Sequence, residues 1–195
     1  MTNSPRPALF SGLVVFVKRD CPTCELVVPV LAQLAEEGGL TIYSQDDLDF
    51  PSGAGALDDT DLEYSWRYAI ETVPTLLAVE EGVERGRAVG WERGEWERLS
   101  RVADLGPGLP GARPGCGSLS VDPAHALDLE VRFGADAMKS RRVCYAPLED
   151  EMEAAFERGW TDGLPVVPPT ESKMAHMIAA TKRASNDVVA LVPPN

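Results

Sequence analysis

Apolar and polar positions along the chain change period several times, and each change marks an element. Residues 13–17 are uninterruptedly apolar and rich in β-branched side chains, which predicts a buried strand. From residue 22 the period becomes helical, with Leu26, Val27, Val30, Leu31 and Leu34 on one face of a helix over 22–37 that Gly38 and Gly39 end. A strand at 40–44 follows, then an acidic loop, then a helix over 61–71 with Trp66 and Ile70 on its apolar face. After Pro74 an apolar run reaches Val79, turns at Glu80, Glu81 and Gly82, and resumes over 83–89 as the second strand of a hairpin. A helix over 94–103, carrying Trp96 and Leu99, completes a βαβαββα order in an α/β chain.

Periodicity then stops. Residues 106–117 hold Gly or Pro at most positions and read as a linker or extended loop. Domain boundaries are therefore expected at 1–105, 106–117 and 118–195, and truncation after Leu105 is expected to leave a folded first domain. The last part is mainly helical and Pro-rich, with helices over 123–133, 148–158 and 171–182 and a short apolar run at 188–192.

The strand-to-helix turn carries the chemistry. Cys21 stands at the N-cap position ahead of Pro22, whose missing N–H costs nothing in a first helical turn, and Cys24 follows one turn later on the same face. Free amides and the helix dipole favour a thiolate there, so Cys21 is the expected nucleophile and Cys24 the resolving sulfur. Asp20 opposes thiolate formation while Lys18 and Arg19 favour it, and their balance stays open. The spacing alone also fits half a zinc site, but Cys116, Cys144, His125 and His176 show no pairing that would complete one, and no metal or cofactor is expected. Cys116, flanked by glycines, is either an incidental loop cysteine or a further redox thiol that reaches Cys21 through the flexible stretch. Cys144, between Val143 and Tyr145, is expected in the core.

Together with Val73, Pro74 and Thr75, the Cys-Pro-Thr-Cys turn resembles the thioredoxin superfamily over about residues 10–105. The resemblance implies a cis proline at Pro74 near the two sulfurs, and a preceding backbone free to pair with a substrate chain, so that Val73, Pro74 and Thr75 bind substrate. It also implies a thioredoxin-like core. The Pro-Thr dipeptide is closer to glutaredoxins, yet no Gly-Gly-x-Asp turn for a glutathione carboxylate follows the strands.

A net charge of −13 excludes the basic surface that nucleic acid requires. The acidity is concentrated in the first domain, where 9 Lys and Arg stand against 19 Asp and Glu. Its densest stretch, 46–63, lacks the alternating ligands and closing glutamate of a calcium loop and reads as solvated. No apolar run approaches the ~20 residues of a membrane span, and residues 1–7 have no secretory hydrophobic segment, so a cytoplasmic location is expected.

Cys116, Gly117 and Ser118, the segment 157–171 and the Val-Pro-Pro element near the end resemble a bacterial family named for its Sec-Gly-Ser-Cys (UGSC) motif, although Leu119 stands where the second cysteine belongs. That family continues past the Val-Pro-Pro element, so the resemblance implies a missing remainder. A region of this size is marginal alone, and residues 118–195 are expected to dock on a second copy or another protein. The resulting expectation is a thiol-disulfide oxidoreductase acting on a protein thiol or disulfide. The alternative is a non-catalytic interaction subunit of a larger enzyme complex.

Overall fold

The computed structural model describes residues 7–134, 143–144, 150–170, 173–174, 177, 180–181, 187–188 and 190. The chain divides into two compact units after Leu129. The first unit is mixed α/β with a central sheet, the class expected from the sequence.

Its centre is β1 (Gly12–Val17), whose Val14, Val15, Phe16 and Val17 are all fully buried. A strand covered on both faces needs side chains that are apolar at every position, which is why its sequence does not alternate. It runs parallel to β2 (Leu40–Ser44) and antiparallel to β5 (Thr75–Glu80), with Val15 opposite Ile42 on one side and Leu76 on the other. The short β3 (Leu57–Asp58) lies beyond β2, and β6 (Val83–Val89) pairs with β5 as the predicted hairpin. The five strands are ordered β3-β2-β1-β5-β6.

Between β1 and β2 runs α1 (Pro22–Glu37), which buries Thr23, Cys24, Val27, Val30, Leu31 and Leu34 at helical spacing. Between β3 and β4 (Thr72–Val73) the helix α2 is limited to Glu63–Arg67, five residues against the eleven expected. Asp59 draws the chain into it, accepting the Tyr64 and Ser65 amides at 2.9 and 3.1 Å. Leu62, Ser65, Tyr68 and Ile70 turn inward, whereas Trp66 stays partly exposed. Asp59 itself is buried, so the acidic stretch is not uniformly solvated, and burial raises its carboxyl to about 6.

After β6 come β7 (Trp91–Glu92) and α3 (Arg93–Ser100), capped by Glu92 accepting the Glu95 amide. Trp91 and Trp96 are both buried and meet edge to face with ring centres 5.2 Å apart. Their indole N–H groups donate to Pro110 and Gly90 carbonyls at 2.7 and 3.0 Å, so both are packing residues.

The Gly/Pro-rich stretch is laid against this unit. β8 (Ala112–Arg113) pairs antiparallel with β7, and β9 (Cys116–Gly117) pairs antiparallel with β4. A 3-10 turn (Leu119–Val121) and α4 (Pro123–Leu129) complete the unit. Composition could not reveal this, because backbone pairing of single dipeptides leaves no side-chain period.

In the second unit a π-helical turn (Glu130–Gly134) continues the predicted helical segment, and α5 (Glu151–Glu157) begins at Asp150, which accepts the Met152 and Glu153 amides. Cys144 is exposed, contrary to the core position expected from its apolar neighbours. His125 is exposed; His176, Ile178 and most of 182–195 lie outside the described residues. Among the described residues no helix is long and apolar enough to cross a membrane.

Candidate functional site

The end of β1 delivers Cys21 to the start of α1 in extended conformation, where its sulfur accepts the Cys24 amide at 3.3 Å. Pro22 occupies the first helical position, so the sulfur replaces one acceptor that the helix start lacks. Across from it, the Val73–Pro74 peptide is cis, and the Cys21 thiol donates to the Val73 carbonyl at 3.5 Å. Cys21, Cys24, Val73 and Pro74 are thereby brought together. Thr75 is adjacent but inward-facing: it is buried and donates to the Thr72 carbonyl at 2.7 Å, so its side chain is spent within the fold.

The two sulfurs are electrostatically unlike. Hydrogen bonds from the Cys24 thiol first, then from the Cys116 thiol and the Cys24 and Thr23 amides, overcome burial and lower Cys21 to about 5. Cys24 is completely buried, and that burial, with the neighbouring Cys21 sulfur, pushes its thiol well above the ordinary range. One group holds a thiolate at neutral pH and the other holds a proton, which is the division of labour an attacking and a resolving sulfur require.

The Arg19 side chain, two residues before Cys21, is committed elsewhere. The Arg19 and Asp20 amides donate to the Asp46 carboxylate at 2.8 and 3.2 Å, and the Arg19 guanidinium pairs with Asp47 and lies over the Phe50 ring. Asp47 is held below the usual carboxylate range by the Asp49 amide and then by Arg19. The acidic loop therefore anchors the residues ahead of the nucleophile.

Cys116 lies at the site as well. It stands opposite Val73 in the β4–β9 pair, the residue whose carbonyl meets the Cys21 sulfur, and burial followed by the Cys21 sulfur raises its thiol. Three further residues of this corner escaped the sequence reading: Thr23, whose hydroxyl donates to the Pro114 carbonyl at 2.7 Å, and Gly90 and Gly115, where chains approach closely. The glycines flanking Cys116 were the available signal. Among the described residues no group of three or more His, Cys, Asp and Glu is placed to hold a metal ion.

No protein-family model and no curated protein significantly matches the chain. Among solved structures, the chain is similar to a reduced thioredoxin pre-protein of Schistosoma mansoni at 24% identity, over 47% of this chain and 78% of that one, with a TM-score of 0.34.

Proposed function

We propose that the chain is a thiol-disulfide oxidoreductase in which Cys21 attacks a disulfide of a partner protein and Cys24 resolves the mixed disulfide. The observation that carries this reading is the unequal pair itself: a thiolate-stabilised Cys21 at a helix start, a proton-holding Cys24 one turn on, and the cis Val73–Pro74 peptide beside them. The Cys21 thiolate attacks one sulfur of the partner's disulfide: a Cys21–partner S–S bond forms, the partner's own S–S bond breaks, and its second sulfur leaves as a thiolate that takes up a proton. The Cys24 thiol then attacks Cys21, gives up its proton, and releases the reduced partner, leaving a Cys21–Cys24 disulfide. A cytoplasmic setting makes reduction the direction of flow.

Dithiothreitol-driven reduction of insulin tests it. The full chain is expected to accelerate the reaction, Cys21→Ser to fall to the uncatalysed rate, and Cys24→Ser combined with Cys116→Ser, which leaves no second thiol at the site, to accumulate mixed disulfides. Insulin reduction that survives Cys21→Ser would sink this reading. One observation favours the alternative of a non-catalytic interaction subunit: Cys21 is only 1% exposed. On that reading neither cysteine variant changes the chain's effect on its complex.

The partner-docking role of residues 118–195 belongs to the same proposal. It is supported by Met152, Phe156 and Trp160, which expose half or more of their surface. Sedimentation of the full chain against a fragment ending at Leu129 tests it: a self-docking region makes the full chain dimeric, and a separate partner appears as a co-purifying chain. A monomeric full chain with no companion would remove the docking role.

A further inference from the structure

The backbone just before the cis proline is occupied by the protein's own chain. Cys116 stands opposite Val73 and Gly117 opposite Thr72, and the Ser118 amide continues the run by donating to the Glu71 carbonyl at 3.0 Å. On the other side of the site the Thr23 hydroxyl fixes Pro114. The fit leaves no slack: a Cβ on Gly115 would come within 2.4 Å of the Thr72 methyl and 2.6 Å of the Val73 oxygen, and one on Gly90 within 2.9 Å of the Gly115 nitrogen. Ser118 and Ser120 anchor the far end through a buried network. Gln45 donates to the Ser118 hydroxyl at 2.7 Å and accepts the Leu119 amide at 3.0 Å, and Ser120 donates to the Ile70 carbonyl at 2.7 Å.

This placement has a chemical consequence. Cys21 and Cys24 are 1% and 0% exposed whereas Cys116 is only partly buried, so of the three sulfurs Cys116 is the one an external thiol reaches most readily. We propose that Cys116 is a third redox thiol that draws the disulfide out of the buried pair, with β9 seated in the groove as a built-in substrate strand. The inference rests on the oxidoreductase reading above. The Cys116 thiolate attacks the Cys21 sulfur of the Cys21–Cys24 disulfide that substrate reduction leaves behind. The Cys21–Cys24 bond breaks, a Cys21–Cys116 bond forms, and Cys24 leaves as a thiolate that takes up the proton Cys116 gave up. The oxidation level is unchanged, so no oxidant is consumed. One sulfur of an external dithiol then attacks the Cys116 sulfur and frees Cys21 as a thiolate, and its second sulfur attacks that mixed disulfide, frees Cys116 and closes the dithiol into a disulfide.

Disulfide mapping by mass spectrometry tests the exchange in the full chain. Cys24→Ser treated with one equivalent of diamide is expected to yield the intramolecular Cys21–Cys116 disulfide as the main product, at a rate independent of chain concentration. Gly115→Val in that background, by unseating β9, is expected to lower the rate by about tenfold or more, the scale on which exchange depends on access. In the wild-type oxidised chain, Cys116→Ser is expected to slow reduction by dithiothreitol by a similar factor of about ten. Only dimers or diamide adducts from Cys24→Ser, or Cys116→Ser reduced as fast as wild type, would overturn the proposal. Either result alongside Cys21-dependent insulin reduction would remove the third thiol alone, whereas insulin reduction that survives Cys21→Ser removes the reading beneath it.

Discussion

Cys21 is acidic first because the Cys24 thiol donates to it, and then because the Cys116 thiol and the Cys24 and Thr23 amides at the helix start do the same. This gives a pH signature. The ultraviolet absorbance of the thiolate is expected to rise through a midpoint near about 5, against the ~8.5 of an unperturbed thiol. Because the folded value lies below the unfolded one, the group contributes stability that is fully present above the unfolded value and is lost as pH falls through the folded one. Urea stability of the reduced chain should therefore decline on acidification toward pH 5 more steeply than that of Cys21→Ser. Cys116→Ala removes one of the donors, so the Cys21 midpoint should move upward; an unmoved midpoint would mean that the two sulfurs do not meet in solution. At this scale the nucleophile was legible because its causes are local: Pro22, the helical spacing behind it and the apolar strand before it. The contrast with Cys24 was only half legible, since complete burial depends on what covers α1. The proximity of Cys116 was left open, because ninety-five positions separate it from Cys21 and no side-chain period spans 106–117.

At the level of elements, the long ones followed from the sequence and the short ones did not. The bounds of α1 and the β5–β6 hairpin were read closely, since strict apolar spacing and a Glu-Glu-Gly turn define them. The helix at α2 is shorter than its apolar spacing predicts because the chain turns out of it at Ala69, with a φ of 50°, and Asp59, which the sequence reading treats as one more solvated acid, is a buried hydrogen-bond centre at its start. Its carboxylate also accepts the Ser65 hydroxyl, Ser65 accepts Gln45, and Gln45 reaches on to Ser118. This chain of side chains ties α2 and β2 to the turn after β9, so one substitution should be felt at both places. Gln45→Leu leaves the Leu119 amide without its acceptor and removes a donor from the Ser118 and Ser65 hydroxyls, and is expected to cost about 2–4 kcal/mol in urea unfolding. It should also loosen β9, visible as a rise in the Cys21 midpoint. A loss below about 0.5 kcal/mol, the range of ordinary surface changes, would show that the network contributes little. Trp96→Ala is expected to cost about 3–5 kcal/mol through cavity formation, and it also strips a donor from the Gly90 carbonyl beside Gly115.

For the whole molecule the consequential difference lies in where the first unit ends. Composition placed the boundary in the glycine- and proline-rich stretch, as though such residues only connect, yet this stretch supplies acceptors that the preceding residues require. Pro110 takes the buried Trp91 indole N–H, Gly106 and Leu109 carbonyls take the Arg93 guanidinium at 2.8 and 2.6 Å, and Pro114 takes Thr23. Leu105 is itself fully buried, and its amide donates to Glu97. A fragment ending at Leu105 retains the five-stranded sheet but strands these donors, together with Gln45. Each buried group left without a partner costs about 1–3 kcal/mol, and several at once are a large part of the ~5–15 kcal/mol that holds a domain together. The fragment ending at Leu129 is therefore expected to unfold in a single cooperative thermal transition. The fragment ending at Leu105 should melt at least about 10 °C lower, since each kcal/mol moves the midpoint of a small domain by ~4–8 °C. Calorimetry of the two fragments decides the matter, and equal midpoints would return residues 106–129 to the status of a linker.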